Sequence, residues 1–352
     1  MKIKFLLLVL ISFFLITPNT LAKQNSDSII IIDEKSGRVL YEKNSQEKKL
    51  IASTTKIMTA IIAIEKGNLN KEVIVGEEIL KMYGTNIYIE VGEKIKLKDL
   101  IYGLLLRSGN DASLVIAKEI SGSEEKFVGE MNKKAKELGM KNTIFNNPHG
   151  LDEETQNYST AYDMALLMKY ANSNVIYKKI SSTHQYEVKT EKKTYLWYNR
   201  NKLLKKYKYC TGGKNGYTPS AGKTLVSTAT KKDLSLIAVT LNNSNIYENQ
   251  QQIYEEIFSE YKNYKIIDKE KINKNLILYN GYIKDDFYYP LTKEETENIK
   301  TVLHITKNGN KQNNKIIIYL NKKIIGEIPI YLKINTKKEE NFFLKLKSFF
   351  IR

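Results

Sequence analysis

Hydrophobic and polar positions along this chain switch between two periods. Ser28 to Asp33 reads Ser-Ile-Ile-Ile-Ile-Asp, and with Arg38 to Glu42 it brackets Glu34-Lys35-Ser36-Gly37 as a predicted β-hairpin. From about Ser53 to Glu65 the apolar positions Ile57, Met58, Ile61 and Ile62 recur at three and four, the period of a helix. Between Leu97 and Met168 the pattern is mainly helical, with predicted loops at Ser108-Gly109-Asn110 and at Asn146-Asn147-Pro148-His149-Gly150. Thr160-Ala161-Tyr162-Asp163 reads as a capping box opening a further helix. After Tyr186 the strand signals return, and Thr224 to Thr230 with Leu234 to Leu241 predicts a second hairpin turning at Lys231-Lys232-Asp233. Strands at both ends of the first 260 residues, with helices between them, imply one mixed α/β (α+β) domain whose sheet carries a helical insertion.

From about Tyr264 the pattern becomes Lys/Asn/Ile-rich alternation, as in Lys315 to Leu320 and Lys323 to Ile328. Short strands without a long helical period predict a small all-β domain. In Asn341 to Arg352, Phe342, Phe343, Leu346, Phe349 and Phe350 share one helical face, with the basic residues elsewhere. This predicts an amphipathic tail lying on an anionic membrane surface; the alternative is a terminal helix docked on the β domain.

The N-terminus changes how the charge is read. Met1-Lys2-Ile3-Lys4 is basic, Phe5 to Ile16 is nearly all apolar, and Thr20-Leu21-Ala22 offers small residues for cleavage, the layout of a secretory signal peptide. A single membrane anchor is the rival reading, but the run is shorter than the roughly 20 residues that span a bilayer. The predicted divisions are 1–22 signal peptide, 23–262 main domain, 263–335 β-rich domain and 336–352 tail, in a chain of 352 residues. Lys+Arg of 56 against Asp+Glu of 39 gives a net charge of +17, which favours anionic partners. Export argues against nucleic acid and for cell-wall polymer or the outer face of the cytoplasmic membrane. Cys210 is the single cysteine, so no intramolecular disulfide forms.

Ser53-Thr54-Thr55-Lys56 lies where helical periodicity begins, placing a serine at a helix N-terminus and a lysine one turn later on the same face. Free amides and the positive dipole end favour charge developing on the serine oxygen, and a buried lysine amine can take its proton. Alone, the tetrapeptide also fits an N-cap followed by an ordinary helix lysine. Ser108-Gly109-Asn110 can project a hydroxyl and an amide together, or be an inter-helix turn. Lys214-Asn215-Gly216, after Gly212-Gly213, can lay a strand backbone along a substrate, with glycine permitting close approach, or be a turn.

Taken in order, the three elements resemble the Ser-x-x-Lys, Ser-x-Asn and Lys-Thr-Gly set of penicillin-recognising enzymes. With Ile51 to Ala60, Leu106 to Ala112, Asn147-Pro148-His149-Gly150-Leu151, Ser159 to Ala165 and Gly213 to Thr218, the resemblance is to low-molecular-mass D-alanyl-D-alanine carboxypeptidases, from about residue 28 to 245. The resemblance implies a β-lactamase/transpeptidase-like antiparallel sheet with a helical subdomain, in 23–262. It implies removal of the terminal D-alanine from peptidoglycan stem pentapeptides through a Ser53 acyl-enzyme, acylation by β-lactam antibiotics, and no cofactor or metal. Lys56 would be the general base and Ser108 a proton relay to the departing amine. Asn110 would bind the substrate backbone and Lys214 its carboxylate, beside Asn215 and Gly216. The main-chain N–H groups of Ser53 and Tyr217 match the oxyanion hole. His149 falls in a loop below the site, as an accessory to deacylation or as a structural residue. His184 and His304 match nothing catalytic.

Position 215 departs from the pattern, being Asn where the family usually has Thr. An amide NH₂ also donates a hydrogen bond, from a longer arm. The other readings are a weakened penicillin-binding or wall-binding protein and a β-lactamase, though no Glu-x-x-Leu-Asn pentapeptide lies between Asn110 and Lys214.

Overall fold

A computed structural model describes residues 28–276, 281–304 and 314–332. The signal-peptide and tail readings, at 1–22 and 336–352, lie outside the described residues. The central feature is a five-stranded antiparallel sheet in the spatial order Val39–Lys43, Ser28–Asp33, Leu234–Leu241, Gly222–Lys231, Cys210–Thr218. As predicted, it joins strands from the two ends of the segment around a helical insertion.

Ser28–Asp33 is buried along its whole length, which explains its unbroken isoleucine run: a strand covered on both faces has no polar side to alternate with. Ile30 and Ile32 enter a core shared with the helices Lys56–Lys66, Asn110–Ser121 and Ala161–Ser173. Ile29 and Ile31 enter a second core beneath the helix Ile246–Glu260, which covers the other face with Ile253, Tyr254 and Ile257. The predicted capping box is present in part, with Thr160 Oγ1 accepting from the Asp163 N–H at 3.0 Å.

Beyond Tyr261 a third core of Ile267, Leu276, Ile283, Ile316, Ile318, Ile328 and Ile330 gathers short strands, including the three-stranded set Ile299–His304, Lys315–Leu320 and Lys323–Pro329. An α-helix, Lys269–Leu276, and a short 3₁₀ helix, Glu294–Asn298, stand among them, so the all-β expectation is corrected there. The sequence of the α-helix is mostly lysine and asparagine, and Ile272 and Leu276, one turn apart, supply its apolar contacts. Arg38, in the turn before the outer strand, reaches this β-rich part. Its guanidinium donates to Glu295 Oε2 at 2.9 Å and to the Pro290 carbonyl, and lies 5.3 Å from the ring centroids of both Tyr261 and Tyr289.

Candidate active site

Ser53 lies in a single 3₁₀ turn, Ala52–Thr55, and the α-helix proper starts at Lys56. The tighter turn sharpens the predicted geometry, because residues three apart eclipse one another in a 3₁₀ helix. Lys56 is fully buried, and its Nζ is 3.1 Å from Ser53 Oγ and 2.7 Å from Asn110 Oδ1, with the His149 carbonyl as third partner.

The predicted loop Asn146 to Gly150 supports this turn from below. Thr59 Oγ1 donates to the Pro148 carbonyl at 2.7 Å, and Asn157 Nδ2 donates to both Thr55 Oγ1 at 3.0 Å and the Asn147 carbonyl at 2.9 Å. Gly150, at φ +85°, presses on Ala52, where an added Cβ would stand 2.0 Å from the carbonyl oxygen. Only glycine is accommodated there. Ala52 itself is left-handed, with φ +46°.

The second element is also brought in. A π-helical turn, Gly103–Arg107, delivers Ser108 in the left-handed region at φ +67°. Ser108 is 6% exposed, and among the described residues its hydroxyl has no hydrogen-bond partner. Asn110 begins the helix Asn110–Ser121, and its Nδ2 donates to the Tyr83 carbonyl at 2.8 Å. Asp111 holds the same crossing segment, accepting from the N–H groups of Ile87, Tyr88 and Ala112.

The third element, which the sequence leaves open between strand and turn, is the edge strand Cys210–Thr218. Lys214 is 1% exposed and its Nζ donates to the Asn215 carbonyl at 2.7 Å. Asn215 is half-buried, with no hydrogen-bond partner for its side chain among the described residues. Tyr217 is exposed, and Thr218 Oγ1 donates to Asp152 at 2.5 Å. Thr224, on the neighbouring strand, donates to the Ile51 carbonyl at 3.3 Å, so the edge strand and the serine turn share one frame.

Burial pushes the Lys56 amine well below its ordinary range; the positive charges of Lys214 and Arg200 add to this and Asp111 opposes it. Burial, with help from Arg200, pushes Lys214 down to about 7. Burial raises the Asp111 carboxyl, opposed by its main-chain N–H partners. His149 is lowered by burial and opposed by Glu124, whose Oε1 is 3.6 Å from Nε2, while Nδ1 accepts from the Leu151 N–H at 3.1 Å. His184 and His304 are exposed. Among the described residues no group of three His, Cys, Asp or Glu side chains is arranged to hold a metal ion.

Arg200, Tyr83 and Asn157 are absent from the sequence-derived set. Arg200 acts through its field, and Tyr83 through a main-chain carbonyl that carries no residue signature. Asn157 was legible only as an unremarkable polar residue eleven positions after Asn146, whose N–H its Oδ1 accepts.

Comparison with known proteins identifies the family. The profile of the D-alanyl-D-alanine carboxypeptidase family matches residues 16–245. The D-alanyl-D-alanine carboxypeptidase DacF of Bacillus subtilis is 36% identical over 328 residues, 87% of this chain and 82% of that protein. DacC of Escherichia coli is 37% identical over 228 residues, 60% of this chain and 55% of its own length. The crystal structure of penicillin-binding protein 5 from Haemophilus influenzae superposes with a TM-score of 0.74 at 24% identity, covering 89% of this chain and 98% of the other, and so shares the fold. A profile spanning most of the chain, and a relative similar along most of both lengths, place it: the protein belongs to the D-alanyl-D-alanine carboxypeptidase family of serine hydrolases.

Proposed function

We propose that Ser53 is the acylated nucleophile of a D-alanyl-D-alanine carboxypeptidase acting on peptidoglycan stem pentapeptides, with Lys56 as its base. The observation that carries this is the partner set of Lys56 Nζ. Two partners, Asn110 Oδ1 and the His149 carbonyl, only accept, and the third is the Ser53 hydroxyl. Nζ donates to all three, and in its neutral form it keeps two N–H bonds to the acceptors and turns its lone pair to the serine proton. Burial and neighbouring positive charge favour that neutral form.

Ser53 Oγ bonds to the carbonyl carbon between the two terminal D-alanines while Lys56 takes the hydroxyl proton. The oxyanion is held by the main-chain N–H groups of Ser53 and Tyr217. Collapse breaks the C–N bond, the departing amine receives a proton by way of Ser108, and D-alanine leaves. Water then hydrolyses the acyl-enzyme. Asn110 orients the substrate backbone. Lys214, with Arg200 and Asn215 beside it, draws the terminal carboxylate. A β-lactam follows the first half of this path and remains as the acyl-enzyme.

Export through residues 1–22 and residence on the outer face of the cytoplasmic membrane belong to the same proposal. The apolar face of Phe342, Phe343, Leu346, Phe349 and Phe350, flanked by basic residues, suits an interface with anionic headgroups. Truncation after Glu340 is expected to release the mature protein from anionic vesicles, and unchanged binding refutes the anchor. For the chemistry, Ser53→Ala is expected to abolish both labelling by fluorescent penicillin and D-alanine release from a pentapeptide. Label retained in that variant excludes Ser53.

A further inference from the structure

The direction of the substrate along the edge strand follows from the roles proposed above. Lys214 and Asn215 draw the terminal carboxylate, and the Tyr217 N–H meets the carbonyl of the scissile bond. The residue before the two D-alanines therefore passes beyond Tyr217, at Thr218, where the strand Cys210–Thr218 ends. In a stem pentapeptide that residue is the diamino acid, whose side chain carries an amine.

A loop from the opposite wall of the groove stands at this point. Thr218 Oγ1 donates to Asp152 Oδ2 at 2.5 Å. Asn147 holds the loop from behind, its Nδ2 donating to the carbonyls of Leu151 at 2.9 Å and Thr155 at 3.1 Å. Tyr83 arrives from the side of Asn110, whose Nδ2 donates to its carbonyl at 2.8 Å. Gly84 fits between the loop and Asn110, since a side-chain carbon there would stand 3.2 Å from Asn110 Nδ2 and 3.6 Å from Leu151 Cδ2. Tyr83 is 37% exposed, and its phenol lies beside the Glu153 carboxylate, whose charge, after burial, pushes the phenol up. Asp152 is committed to Thr218, whereas Glu153 is exposed and has no cation at ion-pair distance among the described residues. Other exposed carboxylates also lack one. Glu153 differs in place, because its loop is tied to the edge strand and its aromatic neighbour to Asn110, the two walls of one groove.

An ammonium group is attracted by a carboxylate and by the face of an aromatic ring. We propose that Glu153, beside Tyr83, is the specificity-determining residue for the third position of the stem peptide, where it takes the side-chain amine of the diamino acid. This contact rests on the groove roles proposed for Lys214, Asn215 and Tyr217, and it completes them electrostatically. The terminal carboxylate is drawn to Lys214 and Arg200 and the amine to Glu153, so charge favours one direction of the peptide.

The test is D-alanine release from pentapeptides carrying L-lysine, meso-diaminopimelate or norleucine at the third position; norleucine keeps the carbon chain of lysine and lacks its amine. Wild type, Glu153→Gln and Glu154→Gln are compared, the last removing the same charge one residue along the loop. Wild type is expected to show a kcat/KM about three- to fivefold higher for an amine-bearing peptide than for the norleucine peptide, the upper part of the range for an exposed ion pair. Glu153→Gln is expected to lose that preference, mainly through KM, and added salt to shrink it in the wild type. Glu154→Gln is expected to keep the preference within about twofold. The faster of the lysine and diaminopimelate peptides names the source of the amine. Three outcomes each overturn the proposal: no amine preference in the wild type, an equal fall of Glu153→Gln on all three peptides, or equal losses in the two variants, since diffuse acidity would then suffice. Labelling by benzylpenicillin, which brings no amine, reports on the acylation reading separately, through Ser53→Ala.

Discussion

A side-chain carbon on Gly216 would stand 2.7 Å from the main-chain nitrogen of Ser53 and 2.6 Å from Thr224 Oγ1. The edge strand therefore approaches the serine turn as closely as a bare backbone allows, and the oxyanion site proposed between Ser53 and Tyr217 depends on that closeness. Gly216→Ala must push strand and turn apart. The acylation rate constant for penicillin is expected to fall by about 10²- to 10³-fold, the loss that follows removal of one oxyanion donor. Stopped-flow acylation checks this, with far-ultraviolet circular dichroism to show that the fold persists. An acylation rate within threefold of wild type would place the oxyanion elsewhere.

The two buried lysines predict a bell-shaped pH profile. Lys56 acts as base only when neutral, so kcat/KM rises with pH through its lowered pKa. Lys214 draws a carboxylate only when charged, so kcat/KM falls as pH rises through about 7. Arginine stays protonated throughout, and Lys214→Arg is expected to remove the alkaline limb even if its altered shape lowers the maximum. D-alanine release measured from pH 5 to 10 decides the matter. An alkaline limb that survives in Lys214→Arg belongs to another group.

Stability should carry the same signature. In the folded chain burial brings the Lys214 amine down to about 7, whereas an unfolded lysine keeps its proton to its ordinary value of 10.5. Between those values the unfolded state binds more protons, so stability rises with pH; below about 7 the buried charge exacts its full cost. Lys214→Met removes that cost and is expected to raise the unfolding midpoint at neutral pH and below, with the gain shrinking toward pH 10. Urea titrations at several pH values test it, and a destabilised Lys214→Met at pH 6 contradicts it.

What the chain reveals in advance follows the range of each interaction. The double-sided burial of Ser28–Asp33 is visible in four successive isoleucines, and the Thr160 cap in its spacing to Asp163. Ser53 and Lys56 are separated by one turn whichever helix type forms, so their meeting is also legible. The third partner of Lys56 is not, because it is the main-chain carbonyl of His149, 93 positions away, and any residue supplies a carbonyl. The same holds for Tyr83 beneath Asn110. Arg200 is hidden among many basic residues until the fold sets its charge beside Lys56 and Lys214. The helix Lys269–Leu276 escapes notice because two apolar positions in eight leave almost no periodic signal.

His149 enters the catalytic frame through its backbone, while its ring turns toward Glu124 at 3.6 Å and Leu151. His149→Ala should therefore preserve the Lys56 contact. Acylation and deacylation are expected to remain within about threefold of wild type, with a stability loss of about 1–2 kcal/mol from the unmade bonds. A selective collapse of acyl-enzyme hydrolysis, followed as decay of labelled protein, would instead assign the ring a part in deacylation.

Asn215 stands where the family's threonine usually offers a hydroxyl, and its amide has no partner among the described residues. Its own carbonyl is occupied by Lys214 Nζ at 2.7 Å, so the lysine and the free amide sit on adjacent residues of the strand beside Ser53. An unpartnered amide can donate to a carboxylate, and hydrogen bonds to charged groups are worth about 1.5–3 kcal/mol. Asn215→Ala is therefore expected to slow acylation and D-alanine release on the order of 10- to 150-fold. Because the leaving D-alanine takes the carboxylate with it, hydrolysis of the acyl-enzyme should change little. Asn215→Thr restores a donor on a shorter arm and is expected to equal or exceed the wild type. Acylation and release rates for the three proteins separate the cases. Equal rates for wild type and Asn215→Ala show that the amide is not the donor, and an inactive wild type rescued by threonine identifies a weakened enzyme.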